Sequence, residues 1–255
     1  MSYNLRKRVT TETFGISCEL AIIKCFNGIE IPNLISRSDN NIIDILLPKF
    51  KKFFEEKKIN KLEYVGLKQN KVDFIDNNNI TFSVKSNLTK SNKICPQIIG
   101  QCTLNKFNQN IYSKISDKSN ILNNTDKVKQ FILNYPNELF LLYFESLFCC
   151  DNIIYIKQTN NNAFDEQTNP DKYLISLYKT NNIIKLVNDK CKDDVFDFTR
   201  KINWVESSTL KVLINNKYLS IGEFQIHNNR DCIKFRFNMN NLLKYLSYKE
   251  IEFVF

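Results

Sequence analysis

The stretch "KVDFIDNNNITFSVKSN", from Lys71 to Asn87, contains two apolar runs with the alternating pattern of β-strands. Asparagine and aspartate cluster between the runs at Asp76–Asn79, which is typical of a hairpin turn. Three polar residues, Asp73, Ser83 and Lys85, interrupt the apolar runs. A solvated hairpin explains the turn, but it does not explain a lysine in the middle of the second run.

Side chains alternate between the two faces of a β-strand, so the second run divides into two sets. Phe82 and Val84 are predicted to point one way, and Ser83 and Lys85 the other. If the two runs pair as a hairpin, Asp73 approaches the Ser83 and Lys85 face from the neighbouring strand. Such a cluster offers an acceptor for a divalent cation, a hydroxyl, and an ammonium that can orient or activate a water. This chemistry is suited to phosphodiester hydrolysis.

The composition predicts one globular body. The chain has 255 residues, of which 43% are hydrophobic and 25% charged, so it can bury a sizeable core and should fold. The formal net charge of +9 favours a polyanionic partner, and nucleic acid is the commonest one. AT-biased, lysine-rich coding would produce part of the same excess.

The cysteines and the apolar runs bear on the expected location. None of the eight cysteines forms a C-x-x-C pair, and no signal peptide precedes them, so we expect reduced thiols in a cytoplasmic protein. No apolar run reaches the length that a bilayer requires. We therefore expect no membrane association.

The N-terminal half alternates between helical and β patterns. "TFGISCELAIIKCFN" and "SDNNIIDILLPKFKKFFEEKK" have helical apolar stripes, and Pro48 is expected to bend or divide the second. Three β-like runs at 62–67, 71–76 and 80–87 predict an antiparallel meander. "CPQIIGQCTLNKFNQNIYSKI" and "DKVKQFILNYPNELFLLYFESLFCC" are predicted to be helical.

The C-terminal half is predicted to be rich in strands. A strand is expected at 152–158, followed by strands in "NIIKLVN", "TLKVLIN", "LSIGEFQIH" and "CIKFRFN", and a short helix near "MNNLLKYL". This order predicts an α/β protein of mixed α+β type, with a central mixed β-sheet flanked by helices.

A second candidate site is the hairpin "IGEFQIHNNRDCIKFRFN", with a tight turn at "NNRD". Glu223, Gln225 and His227 are predicted on one face, and Lys234, Arg236 and Asn238 on another. A two-stranded ribbon with such side chains fits the major groove of DNA. The alternative is an ordinary half-exposed hairpin. The candidate DNA contacts here are Gln225, His227, Asn228, Asn229, Arg230, Lys234 and Arg236.

A third candidate is "KICPQIIGQCTLNKF", directly after the Lys85 strand. Gly100 would allow a backbone or a phosphate to approach, and Gln97 and Gln101 would share one helical face. Gln97, Gln101 and Lys106 are candidate DNA contacts. The alternative is a packing glycine within a core helix.

Other chemistries are disfavoured by the residues present. His227 is the single histidine, and neither G-x-S-x-G nor H-E-x-x-H accompanies it. The phosphate-binding and dinucleotide-binding glycine motifs are also absent from the sequence.

The "VDF" and "SVK" triplets, with nine residues between Asp73 and Ser83, resemble the active site of the PD-(D/E)xK nuclease superfamily, and specifically of type II restriction endonucleases. The resemblance implies a metal-binding Asp73, Ser83 in the second acidic position and therefore among the metal residues, and a catalytic Lys85. Glu19 in "GISCE" suits the glutamate that the family often adds from an N-terminal helix. The implied cofactor is Mg²⁺.

The resemblance also implies a fold. It predicts a single nuclease domain over residues 1–255, with a restriction-endonuclease-like catalytic core at about 13–158 and a β-rich, DNA-contacting part at about 182–255. It is carried by about Thr13 to Phe107 and, more loosely, by the C-terminal hairpin.

Ser83 departs from the family pattern because a neutral oxygen replaces a carboxylate. A hydroxyl binds Mg²⁺ less tightly, so Ser83 would ligate weakly, act through a water, or not ligate. Some restriction enzymes carry neutral residues there. A surface hairpin with a solvated lysine is the alternative that this departure leaves open.

The function that the resemblance implies is Mg²⁺-dependent, sequence-specific cleavage of double-stranded DNA by a type II restriction endonuclease. The alternatives are another PD-(D/E)xK nuclease, such as a DNA repair enzyme, and a non-catalytic DNA-binding protein. A palindromic target would favour a homodimer. A cognate DNA methyltransferase is expected as a genetic partner within a restriction-modification system, not as a bound subunit.

Overall fold

The computed structural model describes residues 9–29, 31–66, 70–88, 92–116, 121–158, 173–190, 194–227, 231–246 and 252–254. The chain divides into two compact units. The first comprises Met1–Lys90, Asn152–Tyr178 and Ile251–Phe255, and the second comprises Ser91–Asp151 and Lys179–Glu250. The single nuclease domain over 1–255 stays a prediction.

The helices of the described residues, in chain order, are α1 Thr11–Cys25, α2 Pro32–Ile35, α3 Asn40–Lys57, α4 Leu104–Phe107, a π-helical turn Asn108–Tyr112, α5 Ser113–Ile115, α6 Thr125–Asn134, α7 Pro136–Leu147, α8 Thr180–Lys190 and α9 Met239–Tyr245. The strands are β1 Glu63–Tyr64, β2 Phe74–Ile75, β3 Thr81–Asn87, β4 Lys93–Ile94, β5 Gln101–Cys102, β6 Asn152–Gln158, β7 Tyr173–Lys179, β8 Phe196–Phe198, β9 Ser207–Ile214, β10 Lys217–His227, β11 Cys232–Asn238 and β12 Glu252–Val254.

The first unit contains a mixed sheet in the order β1-β2-β3-β6-β7-β12. Strands β1, β2 and β3 form the predicted antiparallel meander, β3 pairs with β6 in parallel, and β12 pairs with β7 antiparallel. Helices α1 and α3 share one apolar core with this sheet, which includes Phe14, Phe50, Phe82 and Val84. The predicted mixed α+β class with a central mixed sheet is confirmed at this level.

Helix α3 corrects one expectation. It begins at an Asp39 cap, whose carboxylate accepts hydrogen bonds from the backbone amides of Asn41 and Ile42, and it continues unbroken through Pro48. The proline removes one backbone donor. Buried side chains on both sides of it, including Leu46 and Phe50, hold the two halves against the same core, so Pro48 does not divide the helix. A bend at Pro48 stays a prediction.

The second unit contains an antiparallel sheet in the order β4-β11-β10-β9-β8, with β5 also paired to β11. One face of it is aromatic and packs on α7. The Tyr143 ring lies 4.4 Å from the Phe235 ring, and the Phe140 ring lies 4.6 Å from the Phe196 ring, measured between centroids. The alternation along β10 and β11 places the polar residues on the opposite face.

Two further sequence predictions are wrong. "NIIKLVN" belongs to helix α8, because Ile183 and Val187, four residues apart, are buried on one helical face. The segment around Pro96 to Gly100 is a turn, not a helix. Ile98 has a left-handed φ of 63°, and a Cβ at Gly100 would lie 2.2 Å from the Pro96 carbonyl oxygen.

No helix within the described ranges combines the length and the apolar character needed to span a bilayer.

Candidate active site and nucleic-acid interface

The first-unit sheet brings Asp73, Ser83 and Lys85 together. Phe74 pairs with Phe82 in the antiparallel register, so Asp73 lies opposite Ser83 and their side chains share a face. The Ser83 hydroxyl donates to Asp73 Oδ2 at 2.9 Å, and Lys85 Nζ donates to Ser83 Oγ at 2.8 Å. A continuous hydrogen-bonded chain therefore links the carboxylate to the ammonium.

These three hydrogen-bonded side chains are buried, and a backbone amide also holds Asp73 in place. Asp73, Ser83 and Lys85 are 8%, 1% and 9% exposed. Asp73 Oδ2 also accepts a hydrogen bond from the Val84 backbone amide at 2.7 Å. Val84 lies beyond the N-terminal end of the short strand β2, which begins at Phe74. Since a lysine is almost never this buried without a partner, a merely solvated surface lysine does not describe Lys85.

The identity of residue 83 matters for this geometry. A hydroxyl can accept from Lys85 and donate to Asp73 at the same time. An ionised carboxylate at residue 83 could only accept, and it would repel Asp73. Serine therefore fits the bridging position that the structure assigns to it.

Glu19 on α1 belongs electrostatically to the same cluster. The Tyr64 hydroxyl donates to Glu19 Oε2 at 3.1 Å. Burial and, to a smaller extent, the Asp73 charge raise the pKa of Glu19 to about 7, against the opposing effects of the Tyr64 hydrogen bond and the Lys85 charge. The charges of Glu19 and Asp73 therefore interact in a partly desolvated environment.

The oxygen donors of this cluster determine whether it could hold Mg²⁺. Within the described part of the chain, no group of three or more histidine, cysteine, aspartate and glutamate side chains could hold a metal ion. Mg²⁺ is commonly bound by one or two carboxylates, with waters and substrate phosphates completing the shell. The mutual repulsion of Glu19 and Asp73, with Ser83 beside Asp73, fits that mode of binding.

Tyr64 was not identified from the sequence as a site residue. Its ring packs edge-on against Phe74 at 5.3 Å, and a Cβ on Gly66 would lie 2.8 Å from the ring and its hydroxyl. Gly66 therefore leaves the space in which Tyr64 reaches Glu19. An aromatic residue in β1 was visible in the sequence, but its hydrogen bond to Glu19 depends on the packing of α1.

Two residues of β6 also lie on the site face. The parallel register pairs Lys85 with Tyr155, and Asn87 with Lys157. Residues paired in this way share a face of the sheet, so Lys157 lies just beyond Lys85 along it. Sequence reasoning missed both residues, because no local pattern indicates that β6 pairs with β3.

The second-unit hairpin corrects the predicted faces. Glu223 pairs with Arg236, and Gln225 pairs with Lys234, across β10 and β11. Directly opposed residues of antiparallel strands share a face, so the two predicted sets lie on one face and not on two. Gln101 of β5 pairs with Lys234 and joins this polar face.

A hydrogen-bonded network centres on Glu223. Its carboxylate accepts from Lys93, from Gln225 Nε2 at 2.6 Å and from Arg236 Nη2 at 3.3 Å. Burial opposes ionisation, but the hydrogen bond and charge of Lys93, together with Arg236 and Gln225, lower the pKa of Glu223 below its usual value. Glu223 was noted in the sequence only as a member of one face.

The remaining predicted contacts are dispersed. Gln97 lies in the turn before β5, where its carbonyl accepts from the Ser146 hydroxyl at 2.8 Å, so the predicted helical face with Gln101 does not exist. Lys106 is exposed on α4. His227 ends β10 on the polar face. The other three predicted contacts, Asn228, Asn229 and Arg230, lie outside the described residues.

The chain is similar to the type II restriction enzyme CviAII of Paramecium bursaria Chlorella virus 1, with 34% identity over 174 residues. The aligned segment covers 67% of this chain and 43% of that enzyme, so the chain spans less than half the length of this relative. No family model matches the chain. No solved structure matches it significantly.

Proposed function

We propose that this protein is a type II restriction endonuclease that cleaves double-stranded DNA at a specific sequence in a Mg²⁺-dependent reaction. The observation that carries the proposal is the buried hydrogen-bonded chain from Asp73 through Ser83 to Lys85. Similarity to an enzyme named as a type II restriction enzyme supports it independently, because it extends over two thirds of the chain. A restriction-endonuclease-like core of the PD-(D/E)xK type is part of the proposal.

The acidic residues would hold the metal ion. Asp73 and Glu19 are the proposed ligands, and Ser83 would contribute its hydroxyl directly or through a water. Bound Mg²⁺ would supply positive charge at the scissile phosphate and at the leaving oxyanion. The raised pKa of Glu19 supports this assignment, since a nearby cation would relieve its repulsion from Asp73.

Lys85 is proposed to orient the attacking water. Its ammonium is held by Ser83 on the same face as Asp73, so a water bound there would contact both a donor and a carboxylate. Burial of the lysine limits its freedom and preorganises the contact.

The polar face of the second unit is proposed to contact DNA. Its donors would reach base edges and phosphates, as arginine, lysine and glutamine commonly do. The proposed contacts on this face are Gln101, Gln225, His227, Lys234 and Arg236. Gln97, Lys106, Asn228, Asn229 and Arg230 complete the set of proposed contacts. The net charge of +9 supports a polyanionic partner.

Ser83 favours one rival, a DNA-binding protein without catalysis, because the second acidic ligand is missing. A repair-type nuclease of the same superfamily is the other rival. We further propose a cytoplasmic protein that acts as a homodimer on palindromic sites, with a DNA methyltransferase encoded nearby.

The test is digestion of phage DNA with the purified protein, with Mg²⁺ or with EDTA. The proposal expects discrete fragments only with Mg²⁺, and none from Lys85→Ala although that variant still binds DNA. Lys61→Ala, which alters an exposed lysine of the same unit, is the matched control and should cut normally. A smear would favour a nuclease without sequence specificity. Salt-dependent binding without cleavage would favour the non-catalytic rival.

A further inference from the structure

The second-unit sheet holds one carboxylate among donors from three strands. Glu223 of β10 bonds Lys93 of β4, Arg236 of β11, and Gln225 of its own strand. We call these four side chains the Glu223 network. It lies on the polar face of the sheet, opposite the aromatic face that packs on α7.

The network is more shielded than an ordinary surface ion pair. The Glu223 side chain is 13% exposed, Arg236 24% and Lys93 32%. Charges in this range are less screened by water, and their geometry is more strongly fixed than that of exposed pairs. Arg236 Nε is also buried without a hydrogen-bond partner. Glu223 is thus the acceptor that Lys93 and Arg236 share.

Glu223 also selects the orientation of the Gln225 amide. Because Gln225 Nε2 donates to Glu223 Oε1, the amide cannot turn over without placing its oxygen against the carboxylate. Its oxygen and its second N–H are therefore presented as one defined acceptor and donor pair. That pair matches the N6 donor and N7 acceptor of adenine in the major groove.

We propose that Glu223 is a positioning residue for base recognition, which holds Gln225 in the orientation that reads adenine and holds Lys93 and Arg236 beside it. The inference rests on the proposed cleavage of DNA. It adds a specificity-determining arrangement that is distinct from the Asp73, Ser83 and Lys85 chain. Glu223 also offsets one of two adjacent positive charges, which restrains binding to phosphates irrespective of sequence.

The experiment compares wild type with Glu223→Gln, a variant of nearly the same shape that lacks the charge. Sequencing the ends of digested phage DNA gives the cut sequence, and titration against a duplex lacking that sequence gives the non-specific affinity. We expect the wild-type sequence to contain adenine, and the variant to lose about tenfold in discrimination at that position. Its non-specific affinity should rise, because one negative charge is gone.

Two further variants complete the design. Asp197→Asn removes a carboxylate from the edge strand β8, where Asp197 pairs with Lys201, and should leave the cut sequence unchanged. Gln225→Ala leaves no buried charge unpaired and should therefore fold. It should reduce discrimination at the same adenine position, and it tests the inference even if Glu223→Gln fails to fold.

Unaltered discrimination in either Glu223→Gln or Gln225→Ala would overturn the inference while leaving the proposed function intact. A wild-type cut sequence without adenine would also overturn it. A wild-type protein that neither binds nor cuts DNA would overturn both proposals together.

Discussion

The clusters around Asp73 and around Glu223 use similar residue types with opposite electrostatics. At the first, burial together with the like charge of Asp73 raises the pKa of Glu19 to about 7. At the second, a single carboxylate lies among Lys93, Arg236 and Gln225, which lower the pKa of Glu223 against its burial. A cluster with excess negative charge is suited to receive a cation, whereas a neutralised one is suited to hold donors in place.

The largest difference between the two clusters is expected when a lysine is replaced by arginine, which keeps the positive charge and changes the shape of the side chain. Lys85→Arg preserves a cation but loses the compact ammonium that Ser83 holds, so DNA cleavage should fall by about 10²–10⁴-fold. Lys93→Arg is the matched change at the Glu223 network, where pairing with a carboxylate is what the side chain supplies. Its effect on cleavage should be less than about tenfold. Steady-state cleavage rates measure both, and equal losses would contradict the distinction.

Removal of the carboxylate from the second cluster should reduce stability. Glu223→Ala leaves Lys93 and Arg236 adjacent, partly buried and without their shared acceptor, at a cost of about 2 kcal/mol. Urea denaturation at pH 7 measures the free energy of unfolding. An unchanged midpoint would show that solvent replaces the carboxylate without cost.

Removal of the Glu19 carboxylate from the first cluster should instead increase the free energy of unfolding at high pH. The folded pKa of Glu19, about 7, lies above the ordinary glutamate value of 4.5, so its stabilising contribution is present below pH 4.5 and is lost as the pH rises through 7. Glu19→Gln should therefore gain stability relative to wild type between pH 5 and pH 8. After allowance for solvent screening, we expect about 1 kcal/mol, or about 2–4 °C in melting temperature.

The pH comparison is made by thermal melting in EDTA, so that no divalent cation is bound. Asp73→Asn serves as the second variant, because it removes the charge that contributes to the raised pKa of Glu19 and should weaken the pH dependence. A Glu19→Gln difference that is the same at pH 5 and pH 8 would contradict the raised pKa of Glu19.

The smallest expected effect comes from Gly66. Gly66→Ala would press a Cβ against the Tyr64 ring and move its hydroxyl from Glu19, without touching Asp73 or Lys85. We expect the Mg²⁺ concentration for half-maximal cleavage to rise by less than about tenfold. Tyr64→Phe, which removes only the hydroxyl, should produce a similar rise. No rise in either variant would mean that Tyr64 does not position Glu19.

The sequence predicted the first cluster better than the second because the first is local. The alternation along β3 and a short turn to β2 are enough to place Asp73 opposite Ser83. Glu19 was inferred from a family resemblance, and its link to Tyr64 required the packing of α1 on the sheet. The metal and the catalytic roles of these residues stay predictions.

The second cluster depends on contacts that are distant in the chain. Lys93 and Glu223 are 130 residues apart, and no local period indicates that β4 pairs with β11 beside β10. The mistaken helix around Gln97 arose because apolar residues in "CPQIIGQC" also fit a helical stripe, whereas Gly100 and the left-handed Ile98 impose a turn. The same ambiguity of short β-branched runs assigned "NIIKLVN" to a strand.

The most direct measurement is an anomalous difference map from crystals of Lys85→Ala with a bound duplex and Mn²⁺. Lys85 is not a proposed ligand, so its removal blocks cleavage without removing the metal site. We expect an Mn²⁺ peak in direct contact with the carboxylates of Asp73 and Glu19 and with a phosphate oxygen. Full Mn²⁺ occupancy elsewhere on the protein, with no peak between Asp73 and Glu19, would contradict it.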